Sequence, residues 1–282
     1  MVALPTEPPF VVRIAELDAA AGGSRSGPPV LVIPGWLGDM ERFVDLGEAL
    51  TGIGPVTIYE PHGFGGSRGP HQRGLYDARS YVTEIGTLLR AIGYRDREFV
   101  ILGSSTGGSL ALSYLVDGRG PKPLALALLS PQLSFRIPAW FQVLDRLPST
   151  LARLAQGLIL ILLRLYLGIS GSPDVRSIDY AVRQLRSSDD WALRRFLFEF
   201  MRPCALESRV GEVDVPVIAF AAEKDWFASH PAPELLRVPG SRLEIVGSDA
   251  HRFQEGREQE VAERLRRALA ELRPTNPLAQ TP

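Results

Sequence analysis

The sequence predicts an α/β protein with a mostly parallel, doubly wound sheet and a helical cap insertion. Two observations predict this fold class. Short, wholly apolar runs have the pattern of strands buried on both faces, and they alternate with segments that repeat apolar residues at helical spacing. Such alternation is typical of βαβ units around a parallel sheet. A third observation predicts the insertion, because the alternation stops between 132 and 206, where the chain is rich in Leu and Arg.

The individual elements follow from the same patterns. The predicted strands lie at 11–17, 30–33, 56–59, 98–102, 124–129, 215–222 and 243–246. The predicted helices lie at 41–50, 81–92, 109–116, 233–237 and 259–272. We therefore assign 1–131 and 207–273 to the core and 132–206 to a helical lid. Residues 274–282 form a polar, proline-containing tail that we expect to be disordered.

Composition excludes several classes of function. The chain has 282 residues, of which 45% are apolar and 22% charged, and its net charge is −1. This balance is ordinary for a globular protein with a sizeable core, and it provides no basic field for nucleic acid. Cys204 is the single cysteine, so neither a disulfide framework nor a cysteine-based metal site can form within the chain. The sequence implies no metal and no organic cofactor.

One apolar segment raises the question of a membrane. Residues 151–169 are about as long as a membrane span, but Arg153 and Arg164 interrupt them. We therefore expect a buried or lid helix and no transmembrane span. The first ten residues have neither a basic region nor a long apolar region, so they make a poor signal peptide. The expected location is cytoplasmic, and the sequence leaves the oligomeric state open.

The segment GSSTG at 103–107 has the pattern G-x-S-x-G, with a predicted strand before it and a predicted helix after it. A strand-to-helix turn this sharp holds its central residue in a strained conformation. The small residues Gly103 and Gly107 let the two backbones approach each other. Ser105 would then be presented at the carboxyl ends of the strands, beside a helix N-terminus. The alternative is a flexible Gly/Ser connector.

This order of strands, elbow and insertion resembles the α/β-hydrolase superfamily over about residues 11–272. Three further regions carry the resemblance. VLVIPGWLGD at 30–39 is similar to the oxyanion-loop strand, and YEPHGFGGS at 59–67 is similar to the turn after the next strand. VPVIAFAAEKDWF and SRLEIVGSDAHRF are similar to the strands that deliver the catalytic acid and histidine. Two positions depart from the family pattern, since Pro34 replaces a histidine and Glu60 stands where an aspartate is usual.

The resemblance implies a catalytic triad in the chain order Ser, Asp, His. His251 matches the position of the family histidine, and Asp225 is the preferred acid, with Glu223 and Asp249 as rivals. The backbone N–H groups of Trp36 and Thr106 would form the oxyanion hole. Because a serine occupies the elbow, alkyl-enzyme chemistry of the dehalogenase or epoxide hydrolase kind is excluded.

The other histidines are expected to have different roles. His62 lies in the Gly-rich turn, where loop packing or a place in the pocket is expected. His71 is expected to be solvated and His230 to be structural.

An apolar, aromatic-rich lid over a serine nucleophile predicts a pocket for a small lipophilic substrate. Gly35 is expected to pass close to the substrate. Phe64, Trp140, Trp226 and Phe253 are expected to line the pocket, although any one aromatic residue of the insertion can instead pack the lid onto the core.

The leading functional hypothesis is a serine hydrolase that cleaves a lipophilic carboxylic ester, lactone or thioester. Alternatives are a carbon–carbon bond hydrolase of the same fold and an acyltransferase or biosynthetic tailoring enzyme. Two hypotheses belong to other functional classes. One is a non-catalytic, ligand-binding member of the same superfamily, and the other is a membrane-surface protein that uses residues 151–169.

Overall fold

The computed structural model describes residues 1–6, 9–18, 27–96, 98–118, 120–170, 179–180, 182–184, 188–225 and 233–272. The strands are β1 Val2–Leu4, β2 Phe10–Leu17, β3 Val30–Ile33, β4 Val56–Glu60, β5 Val100–Ser104, β6 Ala125–Leu129, β7 Val217–Ala222 and β8 Arg242–Val246. The α-helices are α1 Val44–Leu50, α2 Ala78–Ala91, α3 Thr106–Asp117, α4 Gln142–Arg146, α5 Ser149–Ile169, α6 Asp190–Arg195 and α7 Glu258–Leu272. The predicted tail at 274–282 lies outside the described residues.

The eight strands form one sheet in the order β1-β2-β4-β3-β5-β6-β7-β8. The pairs β1–β2 and β2–β4 are antiparallel, and every later pair is parallel. The mostly parallel sheet is therefore confirmed. From β3 the chain crosses to one side and from β5 to the other, so a crevice opens beyond the carboxyl ends of these two neighbouring strands.

The wholly apolar strands are buried on both faces because successive side chains point to opposite sides of a sheet. In β3, Leu31 and Ile33 join one apolar cluster, while Val30 and Val32 join the other. Helices α2 and α3 cover the first face, and α1 and α7 cover the second. The prediction of a doubly wound sheet is confirmed by these two layers.

The strand β1 was not predicted from the sequence. It has only three residues, and all three pair with β2. A run this short has no periodicity of its own, so its strand conformation depends on the neighbour that supplies its hydrogen bonds.

Helices α4 to α6 lie in the segment 132–206. Ser134 and Ala205 form an antiparallel bridge, and the Leu206 N–H donates to the Leu133 carbonyl at 2.8 Å. The chain thus leaves the core and returns to it at one place. After α6 the helix continues as a π-helical turn, Phe196–Met201, in which Phe196 and Phe200 stack on each other and meet the ring of Tyr81 edge-on.

The sequence predicts either a buried helix or a lid helix at 151–169, and the helix α5 is not buried. Only Ala152 and Leu167 of its described side chains are buried, and most of its large apolar side chains are exposed. It is the one helix among the described residues that is long and apolar enough to cross a membrane, judged by length and composition alone.

Candidate active site

The turn between β5 and α3 holds a single residue, Ser105, in a strained conformation. Its φ is 51° and its ψ is −118°, outside the regions that residues with a side chain prefer. The Ser105 N–H donates to the carbonyl of Leu129 at 2.8 Å, which ties the turn to β6. The strand and helix meet so closely that a Cβ on Gly103 would lie 2.6 Å from the Cα of Gly108. The two glycines of the GSSTG segment are thus required by the close packing of a tight turn, since a Cβ on Gly107 would lie 2.2 Å from the Ile33 carbonyl oxygen.

Ser105, His251 and Asp225 form a continuous chain of polar contacts. The Ser105 Oγ lies 3.0 Å from His251 Nε2, and His251 Nδ1 lies 2.7 Å from Asp225 Oδ2. The side chains of His251 and Asp225 are 12% and 4% exposed. With an ionised Asp225, the neutral imidazole carries its proton on Nδ1, so Nε2 is the acceptor for the serine hydroxyl.

Two backbone hydrogen bonds bring the acid and the histidine together. The N–H of Glu223 donates to the Val246 carbonyl at 3.0 Å, and that of Lys224 donates to the Ser248 carbonyl at 3.2 Å. These bonds join the loops that follow β7 and β8, so Asp225 is carried to the ring of His251. The rival carboxylates of Glu223 and Asp249 are exposed instead.

Sequence analysis did not identify Ser130, which holds the backbone of His251 by a hydrogen bond. Ser130 is buried, has a φ of 47°, and donates its hydroxyl to the His251 carbonyl at 2.6 Å. It directly follows β6, the neighbour of β5. A serine after a buried strand was the available signal, but nothing in the sequence connects it to a loop 121 residues away.

The predicted oxyanion-hole residues also lie together. The Trp36 N–H donates to the Oγ1 of Thr106 at 2.5 Å. Gly35 passes so close to the elbow that an added Cβ would lie 2.9 Å from the Ser104 carbonyl oxygen and 3.3 Å from the Cβ of Ser105. In this structure the threonine hydroxyl therefore occupies the Trp36 donor, and an oxyanion would have to displace that hydroxyl.

Glu60 connects two loops beside the site. It stands at the position where the α/β-hydrolase pattern usually has an aspartate. Its carboxylate is fully buried and accepts from the N–H of Met40 at 2.6 Å and from that of Gly66 at 2.8 Å. Burial raises the pKa of Glu60, and the two N–H donors oppose that effect. The longer side chain thus holds two segments at once.

A cationic cluster lies next to the histidine. Arg252 and Arg42 share the carboxylate of Glu255, at 3.0 and 2.6 Å, and both guanidinium groups lie near the ring of Tyr180. Burial, with the like charge of Arg42, lowers the pKa of Arg252 to about 10. Arg252 therefore remains positively charged at neutral pH.

The two other described histidines, His62 and His71, have their ring contacts away from Ser105. His62 is fully buried, with Nδ1 2.6 Å from a Glu84 carboxylate oxygen and Nε2 2.7 Å from the Leu75 carbonyl oxygen. It packs the loop after β4. His71 is exposed and lies 2.6 Å from Asp189. His230 is outside the described residues.

The predicted pocket residues are placed very differently. Phe64 and Phe253 are buried in the two apolar clusters, at 3% and 2% exposure, which argues against direct substrate contact by either ring. Phe64 packs edge-on against Phe196, so it joins the insertion to the core. Trp140 is 60% exposed, and Trp226 lies outside the described residues.

No metal centre is formed by the part of the chain that the structure describes. Within it, no three His, Cys, Asp or Glu side chains form a group that could hold a metal ion. The groups that the structure places around Ser105 are the His251 imidazole, the Asp225 carboxylate beyond it and backbone N–H groups.

Comparison with known proteins agrees with this architecture. Residues 27–241 match the family described as "Serine aminopeptidase, S33". No curated protein matches the sequence at a significant level.

Solved structures with the same fold cover nearly the whole chain. An esterase from Thermogutta terrifontis, solved with malate, superposes with a TM-score of 0.77 at 15% identity, over 97% of this chain and 99% of that chain. An esterase from Exiguobacterium antarcticum gives a TM-score of 0.73 at 17% identity, with coverages of 95% and 98%. An enol-lactonase from Burkholderia xenovorans gives 0.71 at 16% identity, with coverages of 93% and 96%. At these identities the likeness shows the fold alone.

Proposed function

We propose a reaction for this chain, which belongs to the serine aminopeptidase S33 family of α/β-hydrolases. It cleaves a lipophilic carboxylic ester, lactone or thioester through an acyl-enzyme on Ser105. The single observation that carries this proposal is the chain of contacts from Ser105 Oγ through the His251 ring to the Asp225 carboxylate. A hydroxyl is a weak nucleophile unless a base accepts its proton, and this geometry provides the base.

The first half of the reaction acylates the serine. His251 Nε2 takes the hydroxyl proton as Ser105 Oγ bonds to the substrate carbonyl carbon. Asp225 holds the imidazole through Nδ1–H and stabilises the imidazolium that forms. The imidazolium then gives its proton to the leaving alkoxide or thiolate, and the bond between that group and the carbonyl carbon breaks.

The second half releases the acid. Water gives a proton to His251 as its oxygen bonds to the acyl carbon, and Ser105 leaves with the proton returned from the imidazolium. In both halves the backbone N–H groups of Trp36 and Thr106 would stabilise the carbonyl oxygen as it gains negative charge, each typically by about 3 kcal/mol. Donation to Thr106 Oγ1 keeps the Trp36 N–H paired while no substrate is bound.

The apolar character of the substrate is inferred from the segment 132–206, which we propose to be a lid. The bridge between Ser134 and Ala205 makes this segment an excursion from the core. It carries exposed apolar side chains such as Trp140, and its buried rings anchor it to the sheet layer. The names of the structurally similar esterases and the enol-lactonase agree with ester or lactone chemistry.

A second candidate substrate class is the peptide bond, favoured by the description of the matching family. The same nucleophile and base would serve, because ester and amide hydrolysis share the acyl-enzyme route. The carbon–carbon bond hydrolase and the acyltransferase predicted as alternatives would also use this set of residues. A substrate panel separates these classes.

The test begins with intact-mass measurement after incubation with a fluorophosphonate probe. We expect one adduct on the wild type and none on Ser105→Ala. Ser104→Ala is the matched control, because it removes the neighbouring serine of the same turn and should retain the adduct. Labelling of Ser105→Ala, or a complete lack of labelling on folded wild type, would refute the activated nucleophile.

The panel then consists of p-nitrophenyl esters of increasing acyl length, a thioester, a lactone, a vinylogous diketone and an aminoacyl p-nitroanilide. We expect hydrolysis of the esters to become more efficient as the acyl chain lengthens. A preference for the anilide would reassign the enzyme to peptide hydrolysis, and a preference for the diketone would reassign it to carbon–carbon bond cleavage.

A further inference from the structure

The outward face of α5 concentrates exposed apolar surface. Eight of the fourteen exposed large apolar side chains among the described residues belong to this one helix, with exposures between 48% and 89%. They are Leu151, Leu154, Leu158, Ile161, Leu162, Leu165, Tyr166 and Ile169. Single exposed apolar residues are common on proteins, but a contiguous patch marks an interaction surface.

The spacing of these residues makes the patch a continuous stripe. Positions 151, 154, 158, 161 and 165 follow one another at three- and four-residue steps, which places them on one side of a helix. The opposite side holds the buried Ala152 and Leu167. The helix therefore packs against the protein along one side and exposes large apolar side chains along the other.

The charged residues in the chain segment that contains this stripe have one dominant sign. Between 131 and 170 the ionised side chains are Arg136, Arg146, Arg153, Arg164 and Asp145. Asp145 forms an ion pair with Arg195 and is partly buried, whereas the four arginines are exposed.

The pairing of these arginines leaves most of the positive charge available. Arg164 pairs with Asp179. Arg136, Arg146 and Arg153 form no ion pair with another described residue. The exposed Trp140 and Val143 lie in the two short helical segments that precede α5 in the chain.

We propose that this surface, formed by α5 and the turn at Trp140, binds the surface of a membrane that contains anionic phospholipids. The apolar stripe would enter the boundary between headgroups and acyl chains, and the arginines would meet the phosphates. Tryptophan is favoured at that depth because one end of its ring is apolar and the other polar. The helix would lie in the plane of the membrane rather than cross it, because its inner side packs against the protein.

Two other occupants fit the surface less well. A second copy of the chain would pair α5 with α5, and since α5 contains no acidic residue, the arginines would meet without counter-charges on that helix. A segment of the same chain would need several large apolar residues. No stretch outside the described residues has more than two large apolar residues: the stretch that follows α5, at 171–178, has Val175 and Ile178, and 226–232 has Trp226 and Phe227.

The inference does not depend on the proposed hydrolysis, because it is tested by binding alone. Flotation on a density gradient is measured with vesicles of phosphatidylcholine, and with vesicles of equimolar phosphatidylcholine and phosphatidylglycerol. We expect the wild type to float with the anionic vesicles.

A triple variant, Leu154→Gln/Leu158→Gln/Leu165→Gln, removes the stripe and should lower the vesicle-bound fraction at least about tenfold. The matched control, Leu236→Gln/Ile245→Gln, changes exposed apolar residues elsewhere and should float like the wild type. Arg146→Gln/Arg153→Gln should remove the preference for anionic vesicles. Circular dichroism confirms that each variant is folded.

Several results would overturn the proposal. Wild-type protein that stays at the bottom of the gradient with both vesicles would do so, as would equal flotation of the triple variant. Retention on vesicles after an alkaline carbonate wash would indicate a spanning helix instead. A lipid-free dimer that the triple variant converts to monomer, without flotation, would show that the stripe joins two copies.

Discussion

Replacing Asp225 with asparagine tests the proposed catalytic chain at its buried end. Asp225→Asn removes a negative charge 2.7 Å from His251 Nδ1 while nearly preserving the shape of the side chain. A carboxylate and an imidazolium whose charges are about 4 Å apart attract each other by about 4 kcal/mol at an effective dielectric constant of about 20. Because both side chains are largely buried, solvent screens this attraction little. If this attraction acts only when the imidazolium forms, losing the attraction lowers kcat by about a thousandfold.

The assay is steady-state hydrolysis of the best p-nitrophenyl ester from the panel, with kcat and KM determined separately. We expect kcat to fall and KM to change little, because the lost attraction concerns the transition state. Asp249→Asn and Glu223→Gln are matched controls, since both carboxylates are exposed and close in sequence to the site. A kcat within a few fold of wild type for Asp225→Asn, or a large loss in either control, would refute the reasoning.

Two further predictions concern the elbow and the single cysteine. Gly35→Ala should lower kcat by about tenfold or more, because its Cβ would lie 2.9 Å from the Ser104 carbonyl oxygen and force the loop to move. Gly211→Ala, where a Cβ meets nothing within 4 Å, should leave kcat unchanged, and equal kinetics of the two variants would contradict the prediction. Burial raises the pKa of the Cys204 thiol from 9.0 to about 12, so the thiolate fraction at neutral pH should be about a thousandfold below that of the unfolded chain. Absorbance after addition of a chromogenic disulfide should therefore rise slowly for native protein and quickly in urea, and rapid native labelling would disprove this burial.

Much of the fold could be predicted because its signals are local. The parallel strands are short and rich in apolar residues, and each is followed by a helical or turn pattern within a few residues. The elbow was predictable for the same reason, since Gly103, Ser105 and Gly107 satisfy a steric requirement of one turn. The antiparallel β1 escaped prediction because its conformation depends on pairing with β2.

The site was harder to predict where residue types allow more than one role. Phe64 and Phe253 occur in loops beside the predicted triad, so a place in the pocket was reasonable, yet both rings are buried in the core. An aromatic residue satisfies either role, and the choice depends on which surfaces surround it. Ser130 could not be predicted for a different reason. Its contact with His251 joins residues that are distant in the sequence, so no local pattern marks it.

By itself the sequence determined the fold class, seven of the eight strands and the strained turn at Ser105, because these depend on the spacing of neighbouring residues. The tertiary structure decided that Asp225, and neither Glu223 nor Asp249, lies against His251. It also decided that the apolar side of α5 faces outward. Both outcomes depend on which distant segments pack together, and residue spacing alone does not contain that information.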